Sequence, residues 1–401
     1  VNRRWLLPEQ VEDLLPPDAW RLESARGRLL SLFRGHGYEL VVPPALEYME
    51  SLLTGAGQSA DLVTFKLVDQ LSGRLLGLRA DITPQVARID AHRLDSDGVS
   101  RLCYAGSVYH ALARGAGQSR EPFQIGAELY GHAGLSADLE VQGLLLASLD
   151  LLGLRDFVFD LGHVAIFRAL TAGLPQGLVS ELLEAMQGRN IPHIDELTAT
   201  LLPAVRSALR ELPMLCGGVD VLDRARAVLP AQPAITTALD ALDSVARALL
   251  GRTRLEIDLA ELRGYAYHSG MVFAVYAAGY PGSIARGGRY DAIGEAFGRS
   301  RPATGFSIDL RDLLPKVPAP EGAGVAWLSC AEARRLDGAA LEAGLAGLRA
   351  AGRVVIRELE APGSDETARI DARCDRILVV RQGALDEQPI EQNSNREVAA
   401  S

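Results

Sequence analysis

The stretch 101–131, RLCYAGSVYHALARGAGQSREPFQIGAELYG, holds the residues best suited to chemistry. It predicts two strands joined by a Gly- and Arg-bearing loop, ARGAGQSREP. Side chains on a strand alternate between faces, so Phe123, Ile125, Ala127 and Leu129 share an apolar side. Gln124, Gly126, Glu128 and Tyr130 share the other: an amide, a gap, a carboxylate and a phenol. That set suits the floor under a small polar ligand. A half-solvated antiparallel strand would carry the same pattern, so the elements around it have to decide.

Those elements are legible in outline. Asp18 is placed to cap a helix over about 19–33, followed by a short strand at 38–42. Residues 62–70 and 74–79 read as a hairpin leading into LRADITPQVARIDA. There Asp81 or Thr83 starts a helix, with Pro84 well suited to its first turn. A helix over 136–152 and a strand over 157–162 follow the central hairpin. Residues 171–250 are Ala- and Leu-rich with helical periodicity and read as an inserted helical subdomain. Strand signals return at 255–259 and 270–279. IARGGRYD reads as a Gly-rich turn that brings backbone close to a ligand or merely turns tightly, and a helix follows over about 291–297. The Pro- and Gly-rich run 315–324 reads as a linker. Beyond it, 325–385 forms a small α/β module and 386–401 a polar tail.

Composition narrows the class. A chain of 401 residues supports two or three domains, and 48% hydrophobic with 23% charged residues is ordinary for a globular protein. A net charge of −10 weighs against a surface built to hold nucleic-acid backbones. Cys103, Cys216, Cys330 and Cys374 are scattered singly, which fits a reducing cytoplasm. They and the seven histidines show no metal-ligand spacing, so no metal site is expected. No apolar run of about 18 residues or N-terminal signal pattern is evident, so a cytoplasmic chain without a membrane span is expected.

Taken together, the motifs resemble histidyl-tRNA synthetase, a class II aminoacyl-tRNA synthetase. LPEQVEDLLP with GYELVVPPALEY resembles the N-terminus and first class II motif, and the 101–131 hairpin resembles the second. LRADITPQVAR, LRGYAYHSGMVFAVY with GGRYD, and RPATGFSIDLRDLL resemble the amino-group-reading segment, the histidine-specific motif with its Gly-rich strand, and the third class II motif. The resemblance covers about 5–314 and implies an α+β core: an antiparallel sheet flanked by helices, with the helical insertion and the small C-terminal module appended. It also implies a histidine pocket built from Asp81, Thr83, Gln124, Glu128, Arg263, Tyr265, Tyr267 and His268. Carboxylates suit an ammonium group, and a phenol or carboxylate suits an imidazole edge. Arg263 either meets the ligand or neutralises a buried carboxylate such as Asp81 or Glu128.

Two departures point away from adenylation. Where the synthetases carry an arginine on the ATP α-phosphate this chain has His110, and at the third-motif arginine it has Asp312. Neither can clamp a polyphosphate as a guanidinium does. His110 is expected in a hydrogen-bonded structural role, and Arg114 and Arg120 in solvent or against a partner subunit. LRADITPQ, RGYAYHSG, VFAVYAAG and IARGGRYD also resemble the regulatory subunits of ATP phosphoribosyltransferase. That resemblance implies a non-catalytic homodimer without cofactor, joined to a short catalytic subunit in a hetero-octamer. Such a chain would activate its partner and carry inhibition by L-histidine in the first step of histidine biosynthesis, with no role for tRNA. The alternative is a histidyl-tRNA synthetase with divergent motifs.

Overall fold

The structure is a computed structural model and describes residues 5–54, 58–94, 96–113, 115, 118–318, 324–359, 370–371 and 373–390. Arg114 lies outside them. The chain divides into two compact units, Val1–Pro318 and Ala319–Ser401. Among the described residues no helix is long and apolar enough to cross a membrane.

The first unit is built on a nine-stranded sheet. Its middle six strands run antiparallel in the order Ser100–Ser107, Phe123–Tyr130, Ala303–Asp309, Ser283–Arg289, Met271–Ala277 and Phe157–His163. Glu39–Leu40 joins the first of these in parallel, and Arg254–Asp258 joins the last in parallel, with Cys216–Gly217 beyond it. One sheet face carries the main core. The helix Asp18–Gly35 buries Ala25, Leu29 and Phe33, spaced by four residues along one stripe. Phe33 meets Phe306 edge-on, ring centroids 5.9 Å apart. The helix Leu135–Leu151 packs beside it and against the strand Ala303–Asp309.

The opposite face is where Glu128 points, and it is covered too. Every residue of Phe123–Tyr130 except Phe123 is buried, so the half-solvated reading of this strand does not hold. The helix Thr83–Ile89 lies over it. Pro84 sits in the first turn, where a missing N–H costs nothing, and the Asp81 carboxylate accepts from the backbone N–H of Thr83 at 3.2 Å. Leu46–Tyr48, Lys66–Val68 and Leu75–Leu78 make a separate three-stranded sheet.

Several sequence expectations need correction. Asp18 does not cap its helix; Pro17 precedes the first turn, and Asp18 pairs with Arg21 inside it. The first part of 62–70 belongs to the helix Gln58–Val63. IARGGRYD is no turn: Ser283–Arg289 is a central strand, and its glycines serve close packing between strands. The helix expected at 291–297 is a 3₁₀ segment, Ile293–Phe297. The helices of 171–250 pack onto the sheet, since Leu182, Leu209, Leu239 and Leu242 belong to the same buried core. In the second unit, Val354–Arg357, Val325–Leu328 and Arg376–Arg381 form a parallel sheet edged by the antiparallel Ala384–Pro389. The polar run from 386 therefore begins as a strand, and 391–401 lie outside the described residues.

Gly287 shows how tightly the strands approach. A Cβ there would overlap the Gly305 carbonyl oxygen and the Phe273 ring. Gly287→Ala is expected to lose about 2–3 kcal/mol in urea unfolding; a loss below ~0.5 kcal/mol would contradict this packing.

Candidate functional site

Sheet register builds the site. Glu128 pairs across to Gly305, and Gly305 to Gly288; one step along, Gly126 pairs to Ser307, and Ser307 to Arg286. Cross-strand partners share a face, so a carboxylate, a hydroxyl and a guanidinium rise from a floor that is otherwise glycine. The glycines are required there. A Cβ on Gly305 would fall on the Glu128 carboxylate, and one on Gly126 would overlap the Phe306 carbonyl and the Tyr104 ring.

Glu128 is almost fully buried, with 1% of its surface exposed. Its Oε1 accepts from the Thr83 hydroxyl at 2.9 Å and the Tyr104 hydroxyl at 3.1 Å, and its Oε2 accepts from the Tyr290 hydroxyl. Burial nevertheless pushes its pKa up to about 8, against the lowering pull of those hydroxyls. Tyr104, Tyr290 and Tyr267 are held far above the usual phenol range, first by burial and then by the Glu128 charge. All three stay neutral donors.

Around this centre lies a cavity of about 480 Å³. Six of the eight residues expected in the pocket line it: Asp81, Thr83, Glu128, Arg263, Tyr267 and His268. Gln124 works from behind, donating from Nε2 to Asp81 at 2.9 Å while its oxygen accepts from the Ile82 N–H at 2.9 Å. It fixes the Asp81 carboxylate. The hydroxyl of Tyr267 is buried and has no hydrogen-bond partner among the described residues. His268 donates through Nδ1 to the Arg289 carbonyl at 3.3 Å, and burial lowers its pKa to about 4, so it stays neutral.

Tyr265 does not join the cavity. Its ring lies against Phe167 at 5.3 Å and beneath the Arg168 guanidinium. Arg263 pairs with neither Asp81 nor Glu128; its partner is Glu261, bonded through Nε at 3.0 Å and Nη2 at 2.6 Å. Tyr276 supplies a further contact to the same guanidinium.

His110 is buried, and its Nε2 donates to the Ala80 carbonyl at 3.0 Å, next to Asp81. Burial lowers its pKa. Asp312 lies outside the cavity; burial raises its pKa, and its charge helps raise that of Asp309 to about 7, where burial is the larger cause. Among the described residues no His, Cys, Asp or Glu cluster could hold a metal ion.

Sequence reasoning missed Tyr104, Tyr290, Glu261 and Arg286. Tyr290 stands in GGRYD and Glu261 two residues before Arg263, so both were within reach of the motifs. Tyr104 and Arg286 reach the site only through cross-strand register.

Comparisons with known proteins give the family and the fold. A family profile described as histidyl-tRNA synthetase matches residues 10–313. An ATP phosphoribosyltransferase regulatory subunit from Cupriavidus taiwanensis is 54% identical over 389 residues, covering 94% of this chain and 97% of its own. The chain belongs to the ATP phosphoribosyltransferase regulatory subunit family. Another member, from Ralstonia nicotianae, is 56% identical, covering 90% of this chain and 92% of its own. A crystal structure from Bacillus halodurans, described as an ATP phosphoribosyltransferase regulatory subunit/histidyl-tRNA synthetase, superposes with a TM-score of 0.77 at 27% identity, covering 90% of this chain and 94% of that one. The α+β class II synthetase-like core expected from the motifs is the fold observed.

The raised Glu128 pKa fixes a pH dependence. With an ordinary value of 4.5 when unfolded and about 8 when folded, the folded state holds the extra proton between those limits. Its stabilising contribution is fully present below pH 4.5 and is lost as pH rises through 8. Urea unfolding of wild type and Glu128→Gln should therefore show the wild type losing ground to the variant across that window. A pH-independent difference would refute the assignment.

Proposed function

We propose that this chain is a non-catalytic regulatory subunit of ATP phosphoribosyltransferase and that the Glu128 cavity binds its effector, L-histidine. The observation that carries this reading is one cavity wall presenting Asp81, Thr83, Glu128 and the unpartnered Tyr267 hydroxyl together. In this reading Asp81, held by Gln124, takes the α-ammonium. Glu128 and Tyr267 take the imidazole, whose two nitrogens offer one donor and one acceptor. Buried groups of this kind reject ligands that leave them unpaired.

The same reading has no adenylation step. Charge stabilisation of a phosphoryl transition state needs cations placed beside it. The position that the resemblance assigns to the α-phosphate arginine holds His110, turned to a backbone carbonyl, and the third-motif position holds Asp312. The family's name implies a catalytic partner. We place this chain in the cytoplasm as a homodimer within a hetero-octamer containing the short catalytic subunit, which it activates and whose inhibition by histidine it carries. Such regulation is a coupling free energy: histidine must bind one state of the assembly better than the other.

Calorimetric titration tests the reading. L-Histidine should bind the purified chain and Glu128→Ala should abolish that binding, while ATP gives neither heat nor pyrophosphate exchange. ATP binding with exchange would restore a synthetase; histidine binding unchanged in Glu128→Ala would move the effector site elsewhere.

A further inference from the structure

Among the described residues, the cavity holds one cation that the structure leaves without a partner. Of the two arginines lining it, Arg263 is neutralised by Glu261. Arg286 is exposed on the cavity floor and makes no hydrogen bond or ion pair among the described residues. It pairs across to Ser307, and Ser283 and Ser307 line the same wall. A guanidinium flanked by two hydroxyls at a cavity wall is a site for an anion.

Register says where that anion sits. Arg286 shares a row with Gly126, between the row of Glu128 and the row of Gln124. Strand spacing and rise put the Cα atoms of Glu128 and Arg286 roughly 12 Å apart. Arg286 and Asp81 both act on His110, with opposite signs. An α-amino acid carries its ammonium and carboxylate on one carbon and its side chain further off. Asp81 for the ammonium, Arg286 for the carboxylate and Glu128 for the side chain supply those three partners from one cavity.

The charge balance favours one carboxylate over a polyphosphate. The cavity sets the Asp81 and Glu261 carboxylates against Arg263 and Arg286, while burial keeps a proton on Glu128 up to about pH 8. Asp309, with Arg286 in its field, adds a further acid, and Asp312 one more near Asp309. A ligand bringing two or more negative charges would leave charge uncompensated in this balanced lining; a zwitterion would not.

We propose that Arg286, with Ser283 and Ser307, is the subsite for the α-carboxylate of the bound amino acid. The assignment rests on the reading of the Glu128 cavity as an amino-acid site and adds the group that separates amino acids from decarboxylated or reduced analogues.

The experiment compares L-histidine with L-histidinol, which keeps the ammonium and imidazole but has no carboxylate, by calorimetric titration of wild type, Arg286→Ala and Arg286→Lys. Wild type should prefer histidine by roughly 10- to 100-fold, the loss expected for a charge-assisted hydrogen bond. Arg286→Ala should erase that preference by weakening histidine alone, and Arg286→Lys should restore part of it. Equal weakening of both compounds in Arg286→Ala, or no weakening of either, would overturn the subsite. So would competition between inorganic phosphate and histidine that Arg286→Ala removes without changing the preference over histidinol, since it would assign Arg286 to a free anion. Failure of the underlying reading looks different: wild type would bind neither compound, or Glu128→Ala would bind histidine as wild type does.

Discussion

A carboxyl group buried at the centre of a sheet is the constraint on which the rest of this site depends. Glu128 can stay there because three hydroxyls, from Thr83, Tyr104 and Tyr290, come to it from a helix start, a neighbouring strand and a strand end. Leaving such a group unpaired costs far more than each bond returns. The three donors therefore tie together elements far apart in sequence. Gly305 and Gly126 complete the arrangement, because any side chain at either would occupy space the carboxylate or the Tyr104 ring already fills.

Electrostatics around that centre is arranged in layers. Glu261 absorbs the charge of Arg263 at the cavity wall, and Gln124 locks the Asp81 carboxylate in place from below. Burial keeps His268 and His110 neutral. What remains facing the cavity is a carboxylate, a proton-holding carboxyl, an unpartnered phenol and one guanidinium. That is a description of a small zwitterion in negative, and in our reading it is why a fold shared with an amino-acid-activating enzyme can serve as an effector sensor. Binding energy can then go into shifting an assembly between states rather than into a reaction.

The architecture was legible in the sequence wherever the signal was local. The alternation of Phe123–Tyr130 assigned both faces, and Pro84 after Asp81 and Thr83 located the helix that covers the site. Helix and strand boundaries around 135–163 fell within one residue of the periodic pattern. IARGGRYD misled because glycines signal turns, whereas here they permit close approach of paired strands. Arg263 does neutralise a buried carboxylate, but it is Glu261, two residues away, rather than Asp81 or Glu128. Tyr104 and Arg286 owe their places to pairings with residues 22 and 21 positions away, Gly126 and Ser307, and no periodicity reports such register. Tyr265 carried a motif position yet turned to Phe167, since side chains next to each other in a loop need not share a direction.

The central claim is that L-histidine occupies the Glu128 cavity of this chain. A crystal structure of the full chain grown with saturating L-histidine tests it most directly. The account predicts the amino acid lying along the cavity floor, its ammonium against Asp81 and its ring between Glu128 and Tyr267. Histidine bound at another surface while this cavity stays unliganded would contradict it.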